Sequence, residues 1–325
     1  MREFTGPTFP ILRVAFVPGN PSQVAAVDRN AAYLWRLDQG DPIILPCETS
    51  THASKRILVV SHDGRWLVAG PIDHPSLWDI SESPPLPSPL ALPGLLTSVF
   101  ARDPSSLTAI TQCATGGGDA AFGFQVIRVE IPFRRTELAD ATSTRVPVVN
   151  DLAARLATFD LSHWQGADYW LLGTAFSSDG RRLAFSARER AALLWDIGSN
   201  EPPRTIPLRG FPRGLHFSPD GARLAIDACT SLYVFQVDAL ELLVKWRVRN
   251  ADEVFGSRVA WSPDGRLLAR TNGSTTVRLY EAATGRETIA IGKKPGSLQC
   301  VAFSPDGLTL ATGTLDGPVR VWDVE

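Results

Sequence analysis

Short apolar or alternating stretches recur along the whole chain, each closed by a turn of Pro, Asp, Gly or Asn, the pattern of strands rather than of amphipathic helices. A five-residue opening comes seven times: FVPGN at Phe16, VSHDG at Val60, FARDP at Phe100, FSSDG at Phe176, FSPDG at Phe217, WSPDG at Trp261 and FSPDG at Phe303. The intervals are 44, 40, 76, 41, 44 and 42 residues. Each opening is followed by a closing stretch centred on Trp35, Trp78, Val129, Trp195, Phe235, Tyr280 or Trp322. From opening to centre the spacing is 19, 18, 29, 19, 18, 19 and 19 residues, so six of the seven units share one geometry.

One unit reads as four antiparallel strands. An apolar run such as Leu298–Phe303 ends in Ser-Pro-Asp-Gly, where Pro fixes φ, Asp bonds nearby backbone and Gly accepts positive φ. A short strand follows at Leu310–Thr312, then a second turn at Leu315–Gly317, then the alternating Val319–Trp322. The stretch before the next opening has room for a fourth strand. A sheet this small cannot bury both faces alone, so neighbours must stack, and four-stranded units of about 40 to 45 residues are the mark of β-propellers.

On these residues the sequence resembles the WD-repeat (Trp-Asp) propeller family. The most specific elements are the S-x-D-G turns at Ser177, Ser218, Ser262 and Ser304 and the pairs Trp78-Asp79, Trp195-Asp196 and Trp322-Asp323. The resemblance covers essentially the whole chain as seven units. It implies an all-β, seven-bladed propeller of four-stranded antiparallel blades in a single domain over residues 1–325. The last unit stops three residues after Trp322, without a fourth strand of its own. We expect Arg2 to Thr5 to supply it, closing the ring and covering a free edge. The Gly-His pair usual in the family is incomplete: only His52 lies at a comparable distance from Asp63, and Thr51 precedes it. The blades are therefore expected to depend mainly on apolar packing.

Two irregularities stand out. The third unit is longer by about ten residues around Cys113–Gly123, and an insertion is expected at about 134–164, with Asn150 or Asp151 capping a short helix through Leu152–Leu156.

Composition changes the picture only by exclusion. Hydrophobic residues make up 44% and charged residues 20%, against wholesale disorder. A net charge of −2 argues against a nucleic-acid binder, and no apolar run approaches the ~20 residues that span a bilayer, so neither nucleic acid nor membrane is expected as a partner. The four cysteines, Cys47, Cys113, Cys229 and Cys300, are scattered without a C-x-x-C pair. With no apolar leader in the first residues, a reducing cytoplasm is the expected location.

Candidate chemistry is sparse. No G-x-S-x-G, H-E-x-x-H or phosphate-loop string occurs, and Gly116–Gly118 lacks the Lys-Ser/Thr a phosphate loop requires. The recurring Asp63, Asp179, Asp220, Asp264 and Asp306, like Asp28 and Asp316 in second turns, are explained by turn chemistry rather than by metal binding. The proline-rich Ser83–Pro93 reads as a stiff connector. No catalytic, cofactor or metal residues are expected.

What remains is a surface. In propellers of this family one face is built from the second turns and the loops leading into each innermost strand. Placed there are Arg188 and Arg190; Trp164, Tyr169 and Trp170; Phe211 and Arg213; and Phe255 and Arg258. Aromatics mixed with Arg have the composition of interface hot spots. The expected function is a non-enzymatic scaffold, alone or as a subunit of a larger assembly, presenting these loops to a protein or peptide partner. The alternative, a small-ligand or hydrolytic propeller with its site in the central channel, wants inward-facing acids and histidines. The strands Leu12–Ala15, Gly214–His216 and Gln299–Ala302 offer one His and no acid.

Overall fold

The computed structural model describes residues 1–47, 56–87, 97–100, 106–114, 122–130, 153–159, 173–187, 190–197, 199, 201–228, 230–248, 259–271, 275–292 and 296–324. Among the described residues there is no helix, and the strands form seven four-stranded antiparallel sheets, an arrangement consistent with a WD-repeat β-propeller.

In chain order, β1 (Arg2–Phe4) precedes a first sheet of β2 (Arg13–Val17), β3 (Asn20–Val27), β4 (Ala31–Arg36) and β5 (Ile43–Pro46). The second sheet is β6 (Arg56–Val60), β7 (Trp66–Pro71), β8 (Ser76–Asp79) and β9 (Leu86–Pro87), so part of the proline-rich segment is an outer strand. The third is β10 (Thr97–Phe100), β11 (Ser106–Ala114), β12 (Phe122–Glu130) and β13 (Ala153–Phe159). The fourth is β14 (Thr174–Phe176), β15 (Arg182–Ala187), β16 (Ala191–Asp196) and β17 (Arg204–Pro207). The fifth is β18 (Gly214–Phe217), β19 (Arg223–Ala228), β20 (Ser231–Gln236) and β21 (Glu241–Arg247). The sixth is β22 (Val259–Trp261), β23 (Leu267–Thr271), β24 (Val277–Glu281) and β25 (Glu287–Ile291). The seventh is β26 (Leu298–Phe303), β27 (Thr309–Thr314) and β28 (Val319–Asp323), completed by β1.

That last pairing is the expected one. Arg2 lies opposite Val321, Glu3 opposite Arg320 and Phe4 opposite Val319, so β1 is the outer strand of the seventh sheet. The innermost strands contact each other in cyclic order, β2 to β6, β10, β14, β18, β22 and β26, and β26 touches β2 again. The core lies between sheets. One buried cluster joins Phe16, Val24 and Trp35 of the first sheet to Ala311, Val319 and Val321 of the seventh, with Phe4 among them. Another joins Ala225 and Val234 of the fifth to Trp261 and Leu268 of the sixth.

The expected helix at 152–156 is not there. Ala153–Phe159 is a strand paired with β12, from Val129 opposite Ala153 to Phe124 opposite Phe159. The local residues favour helix, but the open edge of β12 offers a ladder, and tertiary pairing overrides a weak propensity. The span 134–164 thus holds the third sheet's own outer strand. The extra length around Cys113–Gly123 is a longer hairpin, since Cys113 pairs with Gly123 and Ala114 with Phe122.

The first turns repeat one polar device. The Ser61, Ser177 and Ser262 hydroxyls donate to Asp63, Asp179 and Asp264 at 2.5, 2.5 and 2.6 Å, and Ser218 and Ser304 donate likewise to Asp220 and Asp306. Each serine oxygen also accepts the amide five residues on, for example Trp66 at 2.8 Å and Thr309 at 2.9 Å. The glycine closing each turn has positive φ, between 68° at Gly180 and 76° at Gly307. The serine hydroxyls, then backbone amides, hold the carboxyls of Asp264 and Asp306 below the usual carboxylate range. These aspartates are occupied as turn-formers.

Candidate interaction face

Because the strands alternate in direction, the second turns and the loops leading into the innermost strands lie at the same end of the sheets, opposite the Ser-Asp turns. The second turn of the first sheet is built by Asp28, wholly buried, whose carboxylate accepts the amides of Asn30 at 2.6 Å and Ala31 at 2.8 Å and the hydroxyl of Tyr33 at 2.9 Å. Burial, then the bond to Asp28, raises the Tyr33 pKa above its ordinary value, so that hydroxyl stays a donor. Arg56 of the second sheet donates its Nε to the Asp28 carbonyl at 3.2 Å, tying one turn to the next sheet.

This scaffold holds exposed groups in place. The Arg29 guanidinium stands 3.7 Å over the Phe9 ring, joining the first sheet's second turn to its lead-in loop. On the fourth sheet, Arg190 adopts φ 58° in its turn and its carbonyl accepts the Leu208 amide at 2.7 Å. Its side chain lies 5.5 Å over Phe211, which is 47% exposed in the loop leading into β18. Leu315, in the last second turn, is 49% exposed. Isolated apolar side chains at a surface are ordinary, but an exposed ring held by a guanidinium is a preorganised contact.

Of the candidate residues, the structure brings Arg190 and Phe211 together on this face. Arg213 follows two residues after Phe211, half-buried, with its amide donating to the Asp227 carbonyl at 2.8 Å. Trp164, Tyr169, Trp170, Arg188, Phe255 and Arg258 lie outside the described residues, as does His52. Sequence reasoning missed the Arg29–Phe9 pair. The signal was present: Arg29 follows a turn-forming Asp28, and Phe9 sits in the lead-in to β2.

Among the described residues no three His, Cys, Asp or Glu converge as metal ligands. Cys47 and Cys300 are free thiols, and burial raises them to about 11 and about 12, so neither is activated.

The repeat is matched by the family model "WD domain, G-beta repeat" over residues 289–323. The chain thus carries a WD repeat there and is similar to WD repeat-containing proteins. It is 31% identical over 164 residues to an uncharacterized WD repeat-containing protein of Synechocystis sp., covering 49% of this chain and 45% of the relative. It is 24% identical over 147 residues to the serine-threonine kinase receptor-associated protein of Gallus gallus, covering 45% and 41%. Over 146 residues it is 25% identical to THO complex subunit 3 of Arabidopsis thaliana, covering 44% of each. The matched stretch spans less than half the length of these curated relatives. WD-repeat proteins are generally non-enzymatic scaffolds for protein interaction and typically bind proteins or sit in complexes.

The family's polar network is only partly present in this WD-repeat chain. Trp322 donates its Nε1 to the Thr312 hydroxyl at 2.9 Å, whereas the buried indole nitrogens of Trp35 and Trp78 find no acceptor among the described residues.

Proposed function

We propose that this WD-repeat protein is a seven-bladed ring, one domain over residues 1–325, that works as a non-enzymatic scaffold and presents its second turns and lead-in loops to a protein or peptide partner. The cyclic contact of the innermost strands and the β1–β28 pairing support the ring. The single observation that carries the docking face is the Arg190–Phe211 pair, an exposed aromatic held by a cation on a rigid turn. Aromatic and Arg anchors dominate interface energetics, and a ring fixed before binding loses little entropy on contact. The scattered cysteines, two of them free, support a reducing cytoplasm as the location.

The test compares wild type with the double variant Arg190→Ala/Phe211→Ser in affinity capture followed by a binding titration with the recovered partner. Loss of two hot-spot contacts is expected to weaken affinity at least about 30-fold, from roughly 1–2 kcal/mol each. Undiminished affinity would remove this sector from the docking face.

A further inference from the structure

The circle of innermost strands encloses an axis, and the residue one before each opening faces it. Ala15, Val59, Ala175, His216, Ala260 and Ala302 occupy that register and are all half-buried, whereas their neighbours Phe16, Val259, Trp261, Val301 and Phe303 are buried. Four of the six are alanine, so among the described side chains this layer is made of short groups and one imidazole. Two residues earlier in register, on the same face of β2, stands Arg13.

Arg13 and His216 belong to the first and fifth sheets, which are not neighbours, and by register both face the axis from opposite parts of the circle. The imidazole lies back toward the Arg13 layer: a Cβ on Gly214, the residue at Arg13's register in β18, would stand 3.1 Å from the His216 Nε2. That Nε2 is covered and has no hydrogen-bonding partner among the described residues. Among the described residues no carboxylate or carbonyl takes up the Arg13 guanidinium. The nearby acids are engaged elsewhere. Asp227 holds Arg270 at 3.2 Å, and Asp28 holds its own turn and Tyr33.

A cation and a polar nitrogen that both face the axis, with no carboxylate bonded to either among the described residues, leave part of their desolvation uncompensated. Burial lowers the Arg13 pKa from its ordinary value, and burial together with Arg13 lowers His216 to about 4, so near neutral pH the histidine is uncharged and able to share a proton in a hydrogen bond.

We propose that the axis binds one small tetrahedral oxyanion of the size of inorganic phosphate, between the Arg13 guanidinium and the His216 imidazole. Arginine supplies the charge and a fork of donors, and the neutral imidazole supplies one further donor. The alanine layer supplies none of the extra donors a larger anion would need. The site is a binding site, and no bond is made or broken there. It lies on the inner wall and not on the docking face, and rests on the ring reading alone.

The experiment is a thermal melt of the full chain with inorganic phosphate, sodium chloride at matched ionic strength serving as control, for wild type, Arg13→Gln and His216→Phe. Phosphate at about a hundred times its Kd is expected to raise the wild-type melt by roughly 4 °C. Arg13→Gln is expected to melt no lower than wild type without phosphate, since it removes an uncompensated cation, and to lose the phosphate-specific rise. His216→Phe is expected to weaken binding about tenfold by isothermal titration. A phosphate rise equal in Arg13→Gln and wild type would be a general salting effect and would overturn the site, as would no heat of binding up to tens of millimolar. Electron-microscope class averages report the ring independently, so intact rings with a failed titration refute the site alone.

Discussion

The joint between the two ends of the chain is the place where a single side chain should matter most, and Phe4→Ala tests it. Phe4 is 6% exposed and packs in the cluster shared by the first and seventh sheets, with Phe16, Val24, Val319 and Val321. Its backbone is the last rung of β1, opposite Val319. Removing the ring loses its transfer energy and leaves a cavity, together about 3–5 kcal/mol for a buried phenylalanine. At roughly 2.1 cal/mol/K of unfolding entropy per residue, 325 residues lose about 1.5 °C of melting temperature per kcal/mol, so the drop should be about 4–7 °C. Scanning calorimetry measures it, with Phe211→Ala as the exposed control expected to move less than about 1 °C. Limited proteolysis supplies a second reading, because an undocked β1 exposes the peptide bonds after Arg2 and Phe4. A drop under about 2 °C with unchanged cleavage would refute the idea that β1 holds the two sheets together.

Three further outcomes follow from buried polar groups. Arg270 and Asp227 form an ion pair 3.2 Å apart with side chains only 3% and 7% exposed, so Arg270→Met should cost about 3–5 kcal/mol in urea unfolding, and Arg270→Met/Asp227→Leu should recover most of it. Should the double variant be no more stable than the single, the buried charge is not the source of the loss. Thr312→Val keeps the shape but strands the Trp322 indole, an expected loss of about 1–2 kcal/mol, whereas Thr309→Val, on the same strand and half-buried, should be near neutral. His216 sits at about 4 when folded, so between its ordinary pKa and that value the unfolded chain takes up a proton that the folded one refuses. Stability should therefore fall as pH drops from about 6.5 to 4, by at most about 3 kcal/mol, and His216→Gln should flatten that slope relative to wild type.

Most of the architecture was legible because each unit repeats the same local physics. Ser-Pro-Asp-Gly encodes a turn wherever it occurs, and all five serine–aspartate pairs form the same bonds. The β1 pairing was legible for a different reason: the last unit lacked one strand and the first residues had no other place. The strand at Ala153–Phe159 was not, because its helical appearance is local while its partner edge, β12, lies more than 20 residues earlier in sequence. At the proposed docking face, Arg190 and Phe211 were identifiable by composition and turn position, but that the guanidinium stands over the ring is visible only in the fold. Arg13 and His216 belong to units far apart in sequence, and only the cyclic arrangement of sheets makes both face one axis.

The incomplete polar network has a register explanation. Trp322 lies opposite Leu310, and Thr312, two residues along β27, reaches its indole. Trp35 lies opposite Val24 and Trp78 opposite Leu67, so the equivalent positions are Ala26 and Ala69, which have no hydroxyl to offer. In the sixth sheet Tyr280 lies opposite Leu268, and the same position is Arg270, which turns away from its own sheet to pair with Asp227 of the fifth. One position thus bonds within a sheet when it is threonine, is simply packed when it is alanine, and links two sheets when it is arginine. Links between sheets recur where the in-sheet bond is missing. Arg56 of the second sheet caps the Asp28 turn of the first, and Trp261 of the sixth donates to the His216 carbonyl of the fifth at 2.9 Å. A ring gains more from such links than a single sheet does, because each one fixes the angle between neighbouring sheets as well as joining them, and those angles together decide whether the circle closes. Where the in-sheet bond is missing in this chain, polar bonding thus moves from inside the sheets to the seams between them, where it sets the position of the turns of the proposed docking face.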